Sequence, residues 1–162
     1  MAGINFSISG KLTIGLASTA KCLCLIVPNN SRRVLIKECS VTASDPNGNG
    51  GYVNIAIALF SSIGTMSSGT PRKDDPNISE TVGIDTYIGL ASVEPTLDYK
   101  IQSKDINARG GEFLWVAIRE EDKLPISGGN SSGTGKMRVG LIAETDSIAN
   151  GTVINYNMRC EF

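Results

Sequence analysis

Tyr52-Val-Asn-Ile-Ala-Ile-Ala-Leu-Phe60 is the stretch that decides the fold of this chain. Val53, Ile55, Ile57 and Leu59 recur at every second position. Tyr52, Asn54, Ala56, Ala58 and Phe60 fill the gaps. A period of two puts four apolar side chains on one face of an extended strand. The other face has small residues in its middle, which suits close cover by another layer. The run follows Asp45-Pro46-Asn47-Gly48-Asn49-Gly50-Gly51, whose residue types supply turn geometry.

The same alternation extends outward in both directions. Ile4, Phe6 and Ile8 alternate with Asn5, Ser7 and Ser9, and Leu12, Ile14 and Leu16 repeat the pattern after Gly10. Lys21 to Val27 is a more continuous apolar run, closed by Pro28-Asn29-Asn30. In Val34 to Ser44, Leu35, Cys39, Val41 and Ala43 are expected on one face, interrupted by Lys37. Glu38, Ser40 and Thr42 are expected on the other, with Val34 and Ile36. Shorter stretches follow at Thr81 to Leu90 and Thr96 to Gln102. Phe113 to Arg119 places Leu114, Val116 and Ile118 opposite Phe113, Trp115 and Ala117. Met137, Val139, Leu141 and Ala143 point inward, and Asn150-Gly151 turns the chain into a last strand, Thr152 to Phe162.

This predicts about eight to ten strands, with helical turns only at Asp105 to Arg109 and Ser147 to Asn150. The fold class is all-β: a two-sheet antiparallel sandwich, jelly-roll-like, with long loops. An immunoglobulin-like sandwich fits less well, because the strand count exceeds seven and Trp115 has no flanking cysteine pair. At 162 residues the chain is expected to form a single β-sandwich domain, residues 1–162. Ser61 to Ser79 and Ser127 to Gly135 are long and polar, and are expected to be exposed and cut first by proteases.

The chain contains no histidine. That removes the commonest general base and the commonest metal ligand together. Ser-His-Asp and Cys-His catalysis are therefore excluded. Asp74 with Asp75, and Glu120-Glu121-Asp122, are carboxylate groups adjacent in sequence; in polar loops they read as solvated charge rather than as an acid–base pair or a calcium loop. The glycine-rich loops lack a phosphate-binding pattern. The sequons at Asn77, Asn130 and Asn150 read as chance matches in an Asn- and Ser-rich chain. No catalytic, cofactor-binding or metal-binding residue is assigned, and no cofactor is expected.

Cys22, Cys24, Cys39 and Cys160 read as reduced, buried small hydrophobes. Cys22 and Cys24, two apart in a strand, are expected to share a face. The near balance of 15 basic and 16 acidic residues provides no field to recruit nucleic acid. Met1 to Ala20 holds one charged residue, Lys11. Small residues near Ala17 to Ala20 do not make a signal peptide without a basic start and an apolar stretch, so this segment reads as strand. No apolar run approaches the roughly 18 residues of a membrane span.

One order of segments resembles a known family. Val34-Leu-Ile-Lys-Glu-Cys-Ser-Val-Thr-Ala-Ser44 leads through a turn to Ile55-Ala-Ile-Ala-Leu-Phe60. Then come Gly64-Thr-Met-Ser-Ser-Gly-Thr-Pro71, the acidic linker Asp74-Asp75-Pro76, Gly111-Glu-Phe-Leu-Trp-Val116 and the closing pair Glu161-Phe162. This order is similar to small jelly-roll virion proteins of tailed bacteriophages, of the head-decoration or cement type. The resemblance spans Val34 to Phe162 and carries an architecture and a class of role, but no functional residue. It implies a non-enzymatic capsid decoration protein that stabilises a shell by binding between capsomers. The implied partners are the major capsid protein or another virion protein, with a homo-oligomer, a trimer favoured, and no nucleic acid or membrane partner. The implied location is the capsid surface of the virion, after synthesis in the host cytoplasm. One departure is that many decoration proteins dock through an extended arm, whereas this N-terminus is strand-like. The alternative is a receptor- or carbohydrate-binding β-sandwich, a fibre tip or lectin-like module, binding through the two long loops and an exposed Tyr or Trp.

Overall fold

The computed structural model of the chain describes residues 3–14, 20–29, 32–48, 50–79, 83–89, 91–130, 132, 134–145 and 151–162. Twelve strands are present among them: β1 Asn5–Thr13, β2 Ala20–Pro28, β3 Arg33–Ser44, β4 Tyr52–Phe60, β5 Ser67–Gly69, β6 Arg72–Lys73, β7 Ile84–Ile88, β8 Leu97–Asn107, β9 Glu112–Val116, β10 Leu124–Ser127, β11 Val139–Thr145 and β12 Val153–Glu161. A single 3₁₀ turn, Glu120–Asp122, separates β9 from β10.

The strands form two antiparallel sheets of six. One has the order β10-β3-β12-β1-β6, with β9 also paired to β3; the other has the order β5-β7-β2-β11-β4-β8. The pairing is nested. β1 lies beside β12, β2 beside β11, β3 beside β9 and β10, and β4 beside β8. The chain is thus a long hairpin rolled over on itself, which is jelly-roll topology. The strand count exceeds the expected eight to ten because β5, β6 and β7, all from the segment between β4 and β8, extend the sheet edges beyond the jelly-roll strands.

One core joins the sheets. Val53, Ile55, Ile57 and Leu59 of β4 face Phe6, Ile8, Val41, Ile154 and Met158 across it. The face expected from the period of β4 is therefore the inward one. β1 runs unbroken through Gly10, which pairs directly with Tyr156. Gly10 takes the inward position between Ile8 and Leu12, and a Cβ there would collide with the Tyr156 ring. Glycine in this strand makes room for a core aromatic rather than ending the strand. Leu16 lies outside the described residues.

Two expectations about faces are corrected, and bulges explain both. In β3, Val34 and Ile36 are buried together with Cys39, Val41 and Ala43, while Leu35 is only half-buried. The register against β12 steps from Glu38–Arg159 to Ile36–Cys160, so Lys37 is an extra residue that shifts the alternation by one. In β2, Leu141 pairs with Cys24 but Ile142 pairs with Cys22, which leaves Leu23 extra. Cys24 therefore packs in the inter-sheet core, while Cys22 packs in a second cluster on the other side of its sheet.

That second cluster qualifies the expectation for Ser61 to Ser79 at one place, around Met66. Cys22, Leu25, Ala56, Ala58, Phe60 and Ile142 form the outer face of their sheet. Met66 and Ala91, with Ile63 and Tyr87 at the margin, cover it. Most of the segment is exposed, but β5 pairs with β7 at the sheet edge and Met66 is buried against the outer cluster that holds the two alanines. Ser127 to Gly135 is more exposed, but it is not loose. Asn130 Oδ1 accepts from the backbone N–H groups of Ser132 and Thr134 at 3.0 and 2.9 Å. Asp105 to Arg109 is the end of β8 followed by a turn, not a helix. The turn expected at Ser147 to Asn150 lies outside the described residues.

Candidate interaction surfaces

The acidic groups singled out in the sequence do not converge. Asp74 Oδ2 accepts from Arg159 at 2.9 Å, and Asp75 Oδ1 accepts from the Asn77 backbone N–H at 2.9 Å. On the same face of that sheet, Lys123 donates to Glu120 at 2.6 Å and to Glu161 at 2.8 Å. The Asp122 carboxylate accepts from the Arg119 N–H at 3.1 Å. Among the described residues no three His, Cys, Asp or Glu side chains are grouped to hold a metal ion. These acids organise turns and ion pairs. The hydrogen bond from Lys123 holds the Glu161 carboxyl below the usual carboxylate range, and its bonds to Glu120 and Glu161 hold the Lys123 ammonium above its usual value.

The four thiols are free and buried. Burial is the main cause that pushes each of them up, Cys24 to about 12. A thiolate is the reactive form, so these groups are inert in the folded chain. Trp115 is partly buried and packs against the main core. Among the described residues no helix is long and apolar enough to cross a membrane.

The strand edges differ in how they meet solvent. β8 ends one sheet with eleven residues, but it is bulged at two places against β4 and carries Asp98, Lys100, Lys104 and Asp105. Bulges and charges of this kind blunt an edge against pairing with another chain. β9 is different. Among the described residues it pairs only with β3, and its outward side chains Leu114 and Val116, with Ile118 two residues beyond its end, are 56%, 47% and 89% exposed. Sequence reading put these three on one side of the strand but did not show which side was buried. Glu112 and Glu120 share their even spacing, and that parity is the signal for an outward face.

No protein family matches the chain, and no curated protein matches it. Among solved structures, a decameric BFDV capsid protein is similar at 13% identity and a TM-score of 0.34, over 97% of this chain and 94% of that one. A 60-mer BFDV capsid protein is similar at 12% identity and a TM-score of 0.33, over 97% of this chain and 89% of that one. At these scores the likeness carries no argument about role. The jelly-roll assignment rests on the nested strand order.

Proposed function

We propose that this chain is a non-enzymatic structural protein of a virion, its 162 residues acting as one β-sandwich unit. The observation that carries this reading is the exposed apolar row Leu114, Val116 and Ile118 beside a strand edge that is open among the described residues. It sits on a jelly roll whose interior is filled by hydrocarbon side chains. Jelly rolls recur in capsid proteins, lectins and cupins. A filled, histidine-free interior suits surface burial better than catalysis or metal binding. Within this class the finer reading is a decoration or cement protein, a homo-oligomer with a trimer favoured. It would bind the major capsid protein or another virion protein between capsomers on the capsid surface, after synthesis in the host cytoplasm. The family resemblance read from Val34 to Phe162 points to tailed bacteriophages.

Co-sedimentation with expanded and unexpanded shells tests the reading. A saturable complex with shells supports it, and the absence of any complex at micromolar concentration counts against it. The glycan-binding alternative draws on one observation, the 55% exposure of Tyr99 on β8. A specific, saturable sugar on a glycan array, abolished by Tyr99→Ala, would favour it.

A further inference from the structure

The two edges of the β1-containing sheet match each other in register, hydrogen-bonding direction and charge. Two rows of paired residues cross this sheet. In one, Lys11 pairs with Asn155, Asn155 with Thr42 and Thr42 with Glu112. In the next, Ser9 pairs with Asn157, Asn157 with Ser40 and Ser40 with Leu114. Each row therefore begins on β1 at one edge and ends on β9 at the other. Strand directions alternate across the sheet, so β9 of one copy set beside β1 of a second copy makes a normal antiparallel pair.

The backbone groups agree with this arrangement. Ala43 N–H donates to Gly111 C=O and Ala117 N–H to Lys37 C=O, so the odd-numbered residues of β9 bond to β3. Its even-numbered residues, Glu112 and Leu114 among them, turn their ladder groups to the edge, where the Glu112 C=O accepts at 3.4 Å from the exposed Lys104 ammonium, a long contact that an added strand would displace. In β1, Asn5 C=O accepts from Asp74 N–H on the β6 side, so Ser9 and Lys11 also turn theirs to the edge. β6 covers β1 only at Phe6 and Ser7. Among the described residues this leaves Ile8 to Thr13 open; in an unshifted register that admits Glu112 to Trp115, the first four residues of β9, while Val116 falls opposite Ser7, which β6 covers.

Charge follows the same register. Glu112 to Asp122 holds four carboxylates against Arg119 alone. The opposite edge carries Lys11 on β1 and Arg72-Lys73 on β6, while neighbouring Asp74 is tied to Arg159. Continuing the sheet without a shift sets Glu112 beside Lys11 of the second copy. Glu112, Leu114, Ser9 and Lys11 are all exposed.

We infer that copies of this chain join head to tail through this sheet, β9 of one adding to β1 of the next. The inference rests on the proposed structural role and specifies its self-contact. The contact is heterologous, so it closes a ring or propagates. A four-residue pairing falls below the about 800 Å² per partner of a stable dimer, so the contact is weak singly and gains strength from closure.

Lys11→Cys and Glu112→Cys, each exposed and away from the core, test the contact by oxidation. The four native thiols are buried and stay out of the reaction. An equimolar mixture is expected to give a disulfide-linked dimer at least about tenfold above either variant alone. Circular dichroism checks that both variants fold as the parent does. Linking by Glu112→Cys alone would show β9 pairing with itself and overturn the head-to-tail contact. If nothing links while the parent still co-sediments with shells, the contact is wrong and the structural role stands. If nothing links and no shell binding occurs, both fail.

Discussion

The two sheets bury their inner faces together but treat their outer faces in opposite ways. Outside β2, β11 and β4 lie Cys22, Leu25, Ile142, Ala56, Ala58 and Phe60, roofed by Met66 and Ala91. Outside β1, β12 and β3 lie Ser9, Lys11, Asn155, Arg159 and Thr42, with nothing roofing them among the described residues. Alanines at the centre of the first face allow a loop to approach closely, and the apolar area removed from water stabilises at about 25 cal/mol per Å². The polar second face would lose hydration under such a roof. The central strands β2, β11 and β4 of the covered sheet are thus buried on both faces, and the other sheet keeps a free surface and open edges.

Ile57→Asp is the largest expected effect. Ile57 is 1% exposed in the shared core, so an unpaired carboxylate there costs several kcal/mol. Against a total stability of about 5–15 kcal/mol, that unfolds the chain or nearly so. A cooperative thermal transition within a few degrees of the parent's would break the assignment of the core. Ala56→Asp and Asn155→Asp test the contrast itself. Ala56 is fully buried beneath the cover, so its aspartate should cost about 3–5 kcal/mol. Asn155 is exposed on the open face, and its change should stay within about 0.5 kcal/mol. Equal urea midpoints for the two variants would erase the difference between the faces.

Much of this contrast was visible in the residues. Small residues at Ala56 and Ala58 announced cover on the second face of β4, and the alternation in β1, β4 and β11 gave their inward faces. The bulges were hidden to different degrees. In β3 the burial pattern changes from even to odd between Ile36 and Cys39, and that break is written in the residue types. In β2 the run from Cys22 to Val27 is apolar at every position, so an extra residue at Leu23 leaves no mark. The roof was missed because its anchors, Ile63 and Met66, are too sparse for any period to show. Their burial depends on contacts far away in sequence. The open edge at β9 was hidden for a related reason: both of its faces are apolar, and only the flanking glutamates distinguish them.

Met66→Ala probes the cover more gently. Removing a side chain that is 7% exposed should cost about 2 kcal/mol, the low end for a buried methionine, because the cluster is small and lies near the surface. The informative readout is local. Cys22 lies beneath this cover, whereas Cys24, Cys39 and Cys160 lie between the sheets. Under native conditions a maleimide should label Cys22 first, through local opening of the cover, and Met66→Ala should speed that labelling alone. Uniform labelling of all four thiols would mean that the cover opens only when the whole molecule unfolds.

The smallest effect belongs to the open face, in the ion pairs around Glu161. Its carboxyl is held below the usual range, chiefly by the hydrogen bond from Lys123. A depressed carboxyl contributes stability above its unfolded value of about 4.3 and loses it as pH falls through the folded value. Lys123 is raised, so its contribution is full below its unfolded value of about 10.4 and is lost as pH rises beyond it. Glu161→Gln should therefore lower stability most between about pH 5 and pH 10. The parent and variant curves should converge as pH falls through the lowered folded value of Glu161, and again at high pH, where Lys123 discharges. Water reaches these pairs, so added salt should shrink the gap. Chemical denaturation at pH 3, 7 and 11, in low and high salt, measures it. A gap that persists unchanged at pH 3 would show that Glu161 acts through packing rather than charge, and that the open face is more enclosed than its exposed neighbours indicate.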